Sequence, residues 1–321
     1  MTVGAAFDVL FTARIDAVER ESWRLALRNA APEFTWWTDV DVELPREAIA
    51  AAVVANPAPG ALHGLPHLSL VQSLWAGVEK LLADPTLPPQ VPLARMVDPA
   101  MNRAMAETAL WAVLSLQRGF FAYAALQQAG DWRQHAQRRA DEVRVLVLGL
   151  GQMGSAVATQ LASTGFRVSA WHASHNTRPL PSGVTVDAGV DALAALLQAS
   201  DIVVNLLPLT PATQGLLDAR FFAALPAGAG LINLARGAHV VDEDLLAALD
   251  SGHVQHAVLD VFNVEPLPSG HRYWRHPRVT VLPHVAALTD VRSAAKVAVA
   301  NLRAARDGRP LLHLVDRARG Y

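Results

Sequence analysis

The stretch VRVLVLGLGQMGSAVATQLAST, from Val143 to Thr164, constrains the fold more than any other part of the chain. Its first six residues are aliphatic apart from one Arg and read as a strand buried on both faces, while SAVATQLAST reads as a helix. Three glycines, Gly149, Gly151 and Gly154, stand at the joint. A strand passing into a helix through such a turn requires a βαβ unit in a parallel sheet. Gly149 permits the tight turn, Gly151 lets the backbone approach a pyrophosphate, and Gly154 lets the helix lie close to the strand. The amides around Gln152 and Met153 then face an anion at the positive end of a helix dipole.

The rest of the chain keeps the same alternation of apolar runs and helical periodicity. FDVLFTA, EFTWWT and AAVVANP are strand candidates in the first hundred residues, with DAVERESWRLALRNA a helix between the first two. The proline-rich LPPQVPLARMVDPAMN breaks the pattern, and Asn102 to Gln128 then reads as one long helix, apolar enough on all sides to pack between domains or against a second subunit. Six strands follow, VRVLVLG, FRVSAWH, DIVVNLLP, GLINLA, HAVLDVF and VTVLPHV, which make one full dinucleotide-binding sheet. A last helix over Ala286 to Ala305 is expected to return to the first domain. The fold class is α/β, with two doubly wound parallel-sheet domains and a cleft between them: residues 1–100 and 286–321 form a flavodoxin-like domain and residues 101–285 a Rossmann domain.

Charge and composition narrow the partners. Against 27 basic residues stand 29 acidic ones, so no basic field favours nucleic acid or a membrane surface, and a small molecule is the expected partner. Cysteine is absent, which removes thiolate nucleophiles and every Cys-based zinc site. His253 and His256 in HVQH are the tightest His pair and lack a third ligand at metal spacing, so no metal is expected. The eight tryptophans read as core and helix packing, and HRYWRHPRV as a surface loop or substrate rim. The opening MTVGAAFDVLFTARID has no basic leader, and Glu107 and Arg118 interrupt the apolar region from Ala104 to Leu126. A cytoplasmic enzyme is expected.

Three later strand ends carry reactive side chains: Arg236 after LINLA, Asp260 and Glu265 after HAVL, and His284 after VTVLP. An Arg fork can hold a carboxylate and polarise a neighbouring carbonyl, and a His held by a carboxylate can protonate the alkoxide formed by hydride arrival. Each residue alone is ordinary at a strand end. Their common placement along one sheet, downstream of a nucleotide loop, points to carbonyl reduction. At the end of the second strand, where NAD sites carry Asp or Glu, stand Trp171, His172 and Ala173, followed by Ser174, His175 and Arg178. Without that carboxylate a 2′-phosphate is not repelled, so NADP is the expected cofactor, with NAD tolerated.

Taken in order, GLGQMG, NLLPLTPAT, LINLARGAHVVDEDLLAALDSG, LDVFNVEPLP, HPRVTVLPHVAALT and the terminal VDRARGY resemble the D-2-hydroxyacid dehydrogenases, and within them the glyoxylate/hydroxypyruvate reductase A type. The resemblance implies NADPH-dependent reduction of a small 2-oxo acid, with residues of both chain termini forming the substrate domain, and a homodimer is expected. It makes Arg236 the ligand of the substrate carboxylate and carbonyl, His284 the proton donor, and Glu265 the residue that orients His284. It puts Asp260 near the nicotinamide and Leu207, Pro208 and Thr213 beside the cofactor; His172 and Ser174, by their place after the second strand, are expected at its ribose. It makes Trp37, Trp75, Ala76 and Gly77 the substrate side of the first domain. Trp75 replaces a glycine of the family member compared, so an indole is expected to narrow or reshape the acyl side of the site; a different, bulkier 2-oxo acid is the alternative substrate. Formate oxidation is disfavoured because the resemblance implies Gln, not Glu265, beside the His there. A non-catalytic dinucleotide sensor is disfavoured by the intact Arg, Glu and His set.

Overall fold

The computed structural model describes residues 7–172 and 182–321, which divide into two compact units. The first unit comprises the residues up to Ala100 together with Thr289–Tyr321, and the second comprises Met101–Leu288.

In the first unit, β1 (Asp8–Ala13), β2 (Thr35–Thr38), β3 (Ile49–Ala55), β4 (Leu70–Ser73) and β5 (Leu93–Ala94) form a parallel sheet in the order β2-β1-β3-β4-β5. The flavodoxin-like order follows from right-handed crossovers on both faces. β1 and β4 are buried at every position, as a sheet covered on both sides requires. α1 (Ala17–Ala30) starts at Asp16, whose carboxylate accepts from Val18 N and Glu19 N, a cap worth about 1 kcal/mol. It buries Trp23 and Leu27, one turn apart. α2 (Glu79–Leu82) is a single turn after β4.

In the second unit, β6 (Arg144–Leu148), β7 (Arg167–His172), β8 (Val184–Ala188), β9 (Ile202–Asn205), β10 (Ala229–Asn233), β11 (Val254–Leu259) and β12 (Val279–Val281) form a parallel sheet in the order β12-β11-β10-β9-β6-β7-β8. This is the Rossmann order with one strand added beyond β11. The sequence gives six of these strands. The seventh, β8, is an edge strand with alternating half-exposed positions, so it lacks the continuous apolar run that marks the others.

Alternation along β6 sorts the core into two layers. Val145 and Val147 face α3 (Pro99–Arg118) and α5 (Gln152–Ser163). Leu146 and Leu148 face α6 (Val190–Gln198), α7 (Ala219–Ala224) and α8 (Asp242–Asp250).

The single helix expected over Asn102–Gln128 is two helices. Gly119 adopts φ +70°, the left-handed conformation that terminates helices, and α4 (Phe120–Ala129) leaves α3 at 61°. α3 is apolar because Met105, Ala109, Ala112, Val113 and Leu116 lie in the core of its own unit. It approaches β10 so closely that a Cβ on Gly230 would lie 2.8 Å from Leu116. α4 buries no residue. The tryptophans also divide: Trp23 and Trp171 are core, whereas Trp111, Trp132 and Trp274 are exposed, Trp132 almost completely. The last helix, α9 (Val291–Arg306), begins five residues later than expected, at an Asp290 cap, because residues 284–286 are held in another conformation, described below.

Candidate active site

β6 delivers the chain into Gly149, which has φ +95°. A Cβ there would lie 2.7 Å from the Leu206 carbonyl oxygen, so the turn rests directly on the end of β9, at the point where the strand order reverses. Its N–H donates to the Trp171 carbonyl at 2.7 Å. A Cβ on Gly154 would lie 1.8 Å from the Gly149 oxygen, and any side chain would lever α5 off the loop. At Gly151 a Cβ would meet nothing within 4 Å, and the first turn of α5, with Gln152 and Met153, has no side-chain cap. Open space against the uncapped positive end of a 12-residue helix fits a pyrophosphate.

At the end of β7, Trp171 is buried and its indole N–H donates to the Gly189 carbonyl at 2.8 Å, so the ring braces the strand. His172 is half-buried beside it. Ser174 lies outside the described residues, as do Ala173, His175 and Arg178. Beyond β9, Leu207 and Thr213 are buried. The Thr213 hydroxyl donates to the Pro208 carbonyl at 2.7 Å and accepts from Thr210 N, which gives this loop a fixed shape.

Arg236 precedes a turn, Gly237–His239, that follows β10. Its carbonyl accepts from Asn233 Nδ2 at 3.0 Å, and its Nη1 donates to the Ala235 carbonyl. A Cβ on Gly237 would lie 1.9 Å from the Phe262 carbonyl carbon, so the Arg236 turn lies against the main chain at 262–263. From that same segment, Phe262 N donates to Glu265 Oε1 at 2.9 Å, which fixes the carboxylate. Its other oxygen meets His284 Nδ1 at 2.8 Å. A carboxylate only accepts, so Nδ1 carries the hydrogen and Nε2 is the nitrogen left to exchange a proton. The His284 side chain is 52% exposed. Glu265 and His284 are thus in direct contact, and Arg236 joins them through packed main chain.

His284 has φ +57°, a left-handed conformation that costs a residue with a Cβ about 1–3 kcal/mol. Asp260 offsets it. Its carbonyl accepts from His284 N at 2.9 Å, Oδ1 from Val285 N at 2.7 Å and Oδ2 from Ala286 N at 3.0 Å. One residue therefore grips three successive amides. Burial pushes the Asp260 carboxyl above the usual carboxylate range, a larger effect than the opposite pull of the two amides. The resemblance implies that Asp260 lies near the nicotinamide; in the structure its carboxylate accepts from the two amides that follow His284. No periodicity signals a bond across 25 positions.

In the first unit, Trp37 donates its indole N–H to Asp8 Oδ1 at 2.7 Å. Trp75 follows β4, exchanges two hydrogen bonds with the Ser73 hydroxyl, and sets its ring edge-on to Trp23 with centroids 6.3 Å apart. Ala76 and Gly77 are half-buried, and among the described residues no acceptor is bonded to either amide. His253 and His256, the pair weighed as metal ligands, bond separately to the Phe222 carbonyl and the Thr280 hydroxyl.

Residues 110–286 match the family profile of the D-isomer specific 2-hydroxyacid dehydrogenase NAD-binding domain. A glyoxylate/hydroxypyruvate reductase A of Serratia proteamaculans is 42% identical over 275 residues, 84% of this chain and 87% of that protein. A D-isomer specific 2-hydroxyacid dehydrogenase of Xanthobacter autotrophicus Py2, solved with NADPH and MES, is 41% identical with a TM-score of 0.93, covering 99% of this chain and 100% of that one. An NADPH-dependent glyoxylate/hydroxypyruvate reductase of Sinorhizobium meliloti, solved with NADP and sulfate, is 36% identical with a TM-score of 0.90, covering 98% and 100%. Sequence and fold agree over nearly the full length, and the chain belongs to the D-isomer specific 2-hydroxyacid dehydrogenases.

Proposed function

We propose that this NAD(P)-dependent dehydrogenase reduces a small 2-oxo acid, glyoxylate or hydroxypyruvate, to the corresponding 2-hydroxy acid, with NADP(H) preferred over NAD(H). The observation that carries the reading is the His284–Glu265 pair, held at 2.8 Å on a left-handed backbone gripped by Asp260. The glycine loop fits a dinucleotide: Gly149, Gly151, Gln152, Met153 and Gly154 would hold the pyrophosphate, and Leu207, Pro208 and Thr213 would border the ring end. The bound nicotinamide supplies the hydride.

The chain's own residues do the rest. Arg236 holds the substrate carboxylate and draws electron density from the carbonyl oxygen through its planar fork. His284 gives the Nε2 proton to that oxygen as the carbon is reduced, leaving a neutral imidazole whose Nδ1–H stays on Glu265. The bonds from Phe262 N to Glu265 and from Asp260 to residues 284–286 keep the imidazole in one orientation, so little freedom is lost when the proton moves. Trp37, Trp75 and the amides of Ala76 and Gly77 form the substrate side of the first unit. The absence of Asp or Glu at the end of β7 supports the NADP preference, as do the NADP-bound relatives.

The reading includes a cytoplasmic homodimer with no nucleic-acid or membrane partner. Among the described residues no single helix is long and apolar enough to cross a membrane. The exposed Trp111, Phe120 and Trp132 around α4 support an apolar contact between copies.

A steady-state panel of glyoxylate, hydroxypyruvate, pyruvate and a bulky aryl 2-oxo acid, each with NADPH and NADH, tests the reading. The expected ranking puts glyoxylate and hydroxypyruvate with NADPH first. A bulky acid in first place overturns the substrate assignment, and equal use of NADH overturns the cofactor preference.

A further inference from the structure

Three fully buried polar side chains lie beneath the strand ends of the second unit: Asn205 at the end of β9, Asn233 at the end of β10, and His239 in the turn after Arg236. None of the roles above uses His239. Its two ring nitrogens reach different loops: Nε2 lies 3.2 Å from the Pro208 carbonyl, and Nδ1 lies 3.1 Å from Asn205 Nδ2 and 3.2 Å from the Arg236 carbonyl.

The orientation of Asn205 decides how the ring is protonated. Its Oδ1 accepts from Leu207 N, so its Nδ2 faces inward, giving one hydrogen to Asn233 Oδ1 and the other to His239 Nδ1. His239 Nδ1 therefore bears the lone pair, and Nε2–H donates to the Pro208 carbonyl. The Arg236 carbonyl is served by Asn233 Nδ2 at 3.0 Å. In this assignment both Asn205 amide hydrogens have acceptors, and His239 Nε2–H meets a carbonyl. A proton on Nδ1 would face the Asn205 amide.

We infer that His239 is a positioning residue: as the Nε2–H tautomer it locks the Pro208 loop to the Arg236 turn, so that the segment proposed to border the cofactor and the arginine proposed to hold the substrate move as one body. The inference rests on the proposed reading of Arg236. The three side chains are fully buried, so bulk solvent offers the bonds no ready substitute and the two loops keep one register. The Thr213 hydroxyl, also on the Pro208 carbonyl, extends the lock along the first loop.

The test compares full-length wild type, His239→Leu, His239→Gln and the control Arg236→Lys. Leu fills similar space and makes no hydrogen bonds. Gln carries an acceptor and a donor that can meet Asn205 and Pro208 together. With glyoxylate and NADPH, His239→Leu is expected to lower kcat/KM by about 100-fold, the scale of a small misplacement of a binding group, through both a raised KM and a lowered kcat. His239→Gln should recover most of the loss. Loss of stability alone would leave the KM of the folded enzyme unchanged.

Nitrogen-15 spectra of wild type labelled at histidine read the tautomer independently, even where the Leu variant fails to fold. A bare Nδ1 with a protonated Nε2 supports the lock, and a protonated Nδ1 overturns it. Wild-type KM and kcat in folded His239→Leu also overturn it, provided that Arg236→Lys is impaired. An unimpaired Arg236→Lys instead overturns the reading of Arg236.

Discussion

Along the carboxyl edge of the second unit's sheet, the side formed by β6, β7 and β8 is shaped by absent side chains, whereas the side formed by β9 to β12 is held by buried polar ones. Gly149 and Gly154 make the first side possible because any Cβ would strike main chain, and Gly151 leaves space open. On the second side, Asn205, Asn233, His239 and Asp260 bond to groups as far as 34 residues away. The contrast follows from the two tasks. A pyrophosphate is large, symmetric and doubly charged, and an open cradle of amides suffices for it. A proton passes only along a narrow range of angles, so the side chains proposed to hand it over need neighbours that cannot relax.

The largest effect should separate the two sides outright. His284→Asn removes the imidazole yet keeps a residue that tolerates the left-handed backbone. Turnover with glyoxylate is expected to fall by about 100- to 10,000-fold, the usual contribution of a positioned general acid. The dissociation constant for NADPH, read by fluorescence titration, should stay where it was. Undiminished turnover would remove His284 from its role; a parallel loss of NADPH binding would mean that the two sides are not independent.

The same division explains what the sequence discloses. The glycine cradle is a local pattern, six residues long, whose spacing carries its geometry, and Arg236, Glu265 and His284 each announce themselves by residue type at a strand end. The fold class follows from strands whose every position is buried, but β8 escapes because an edge strand alternates, and the break at Gly119 escapes because a glycine within an apolar run reads equally as helix. Asp260 is visible as a residue and hidden as a device: its two carboxylate bonds cross 25 and 26 positions. His239 gives no signal at all, since a His in a loop is ordinary until its partners are placed. Long-range polar pairing has no period, so it is the part that only coordinates supply.

A second consequence is an acid sensitivity on the β9–β12 side of the sheet. His256, on β11, is pulled down to about 4 from its ordinary 6.5, chiefly by burial and further by the positive charges of His276 and Arg278. Its ring stacks on Phe121 at 4.2 Å and bonds to the Thr280 hydroxyl of β12. The unfolded chain takes up this proton near pH 6.5 and the folded chain only near 4, so stability is lost as pH falls through that interval. By pH 5 the loss from this residue is about 2 kcal/mol. Asp201, at the amino edge, is held at about 2 by Arg144 and Arg138 despite its burial, so it stays charged throughout. His256→Gln should therefore shrink the difference between urea midpoints at pH 7 and pH 5. In wild type at pH 5, amide exchange should accelerate first in β11 and β12. An equal pH dependence in the variant would assign the acid loss to other groups.

The smallest expected effect lies at the end of β7, where the nucleotide side lacks the carboxylate that NAD-binding sheets usually carry. His172 stands at the strand's last position, half-buried, next to a tryptophan whose N–H is spent on Gly189. His172→Asp supplies a carboxylate that can accept from free ribose hydroxyls and repels a 2′-phosphate. The ratio of kcat/KM for NADPH over NADH should move toward NADH by about tenfold, equivalent to about 1.4 kcal/mol. The kcat at saturating cofactor should hold, because the groups proposed to move the proton lie on the other side of the sheet. If the ratio does not move, cofactor choice resides elsewhere than this strand end. If kcat falls with it, the cradle transmits more to the chemical side than glycines without side chains can account for.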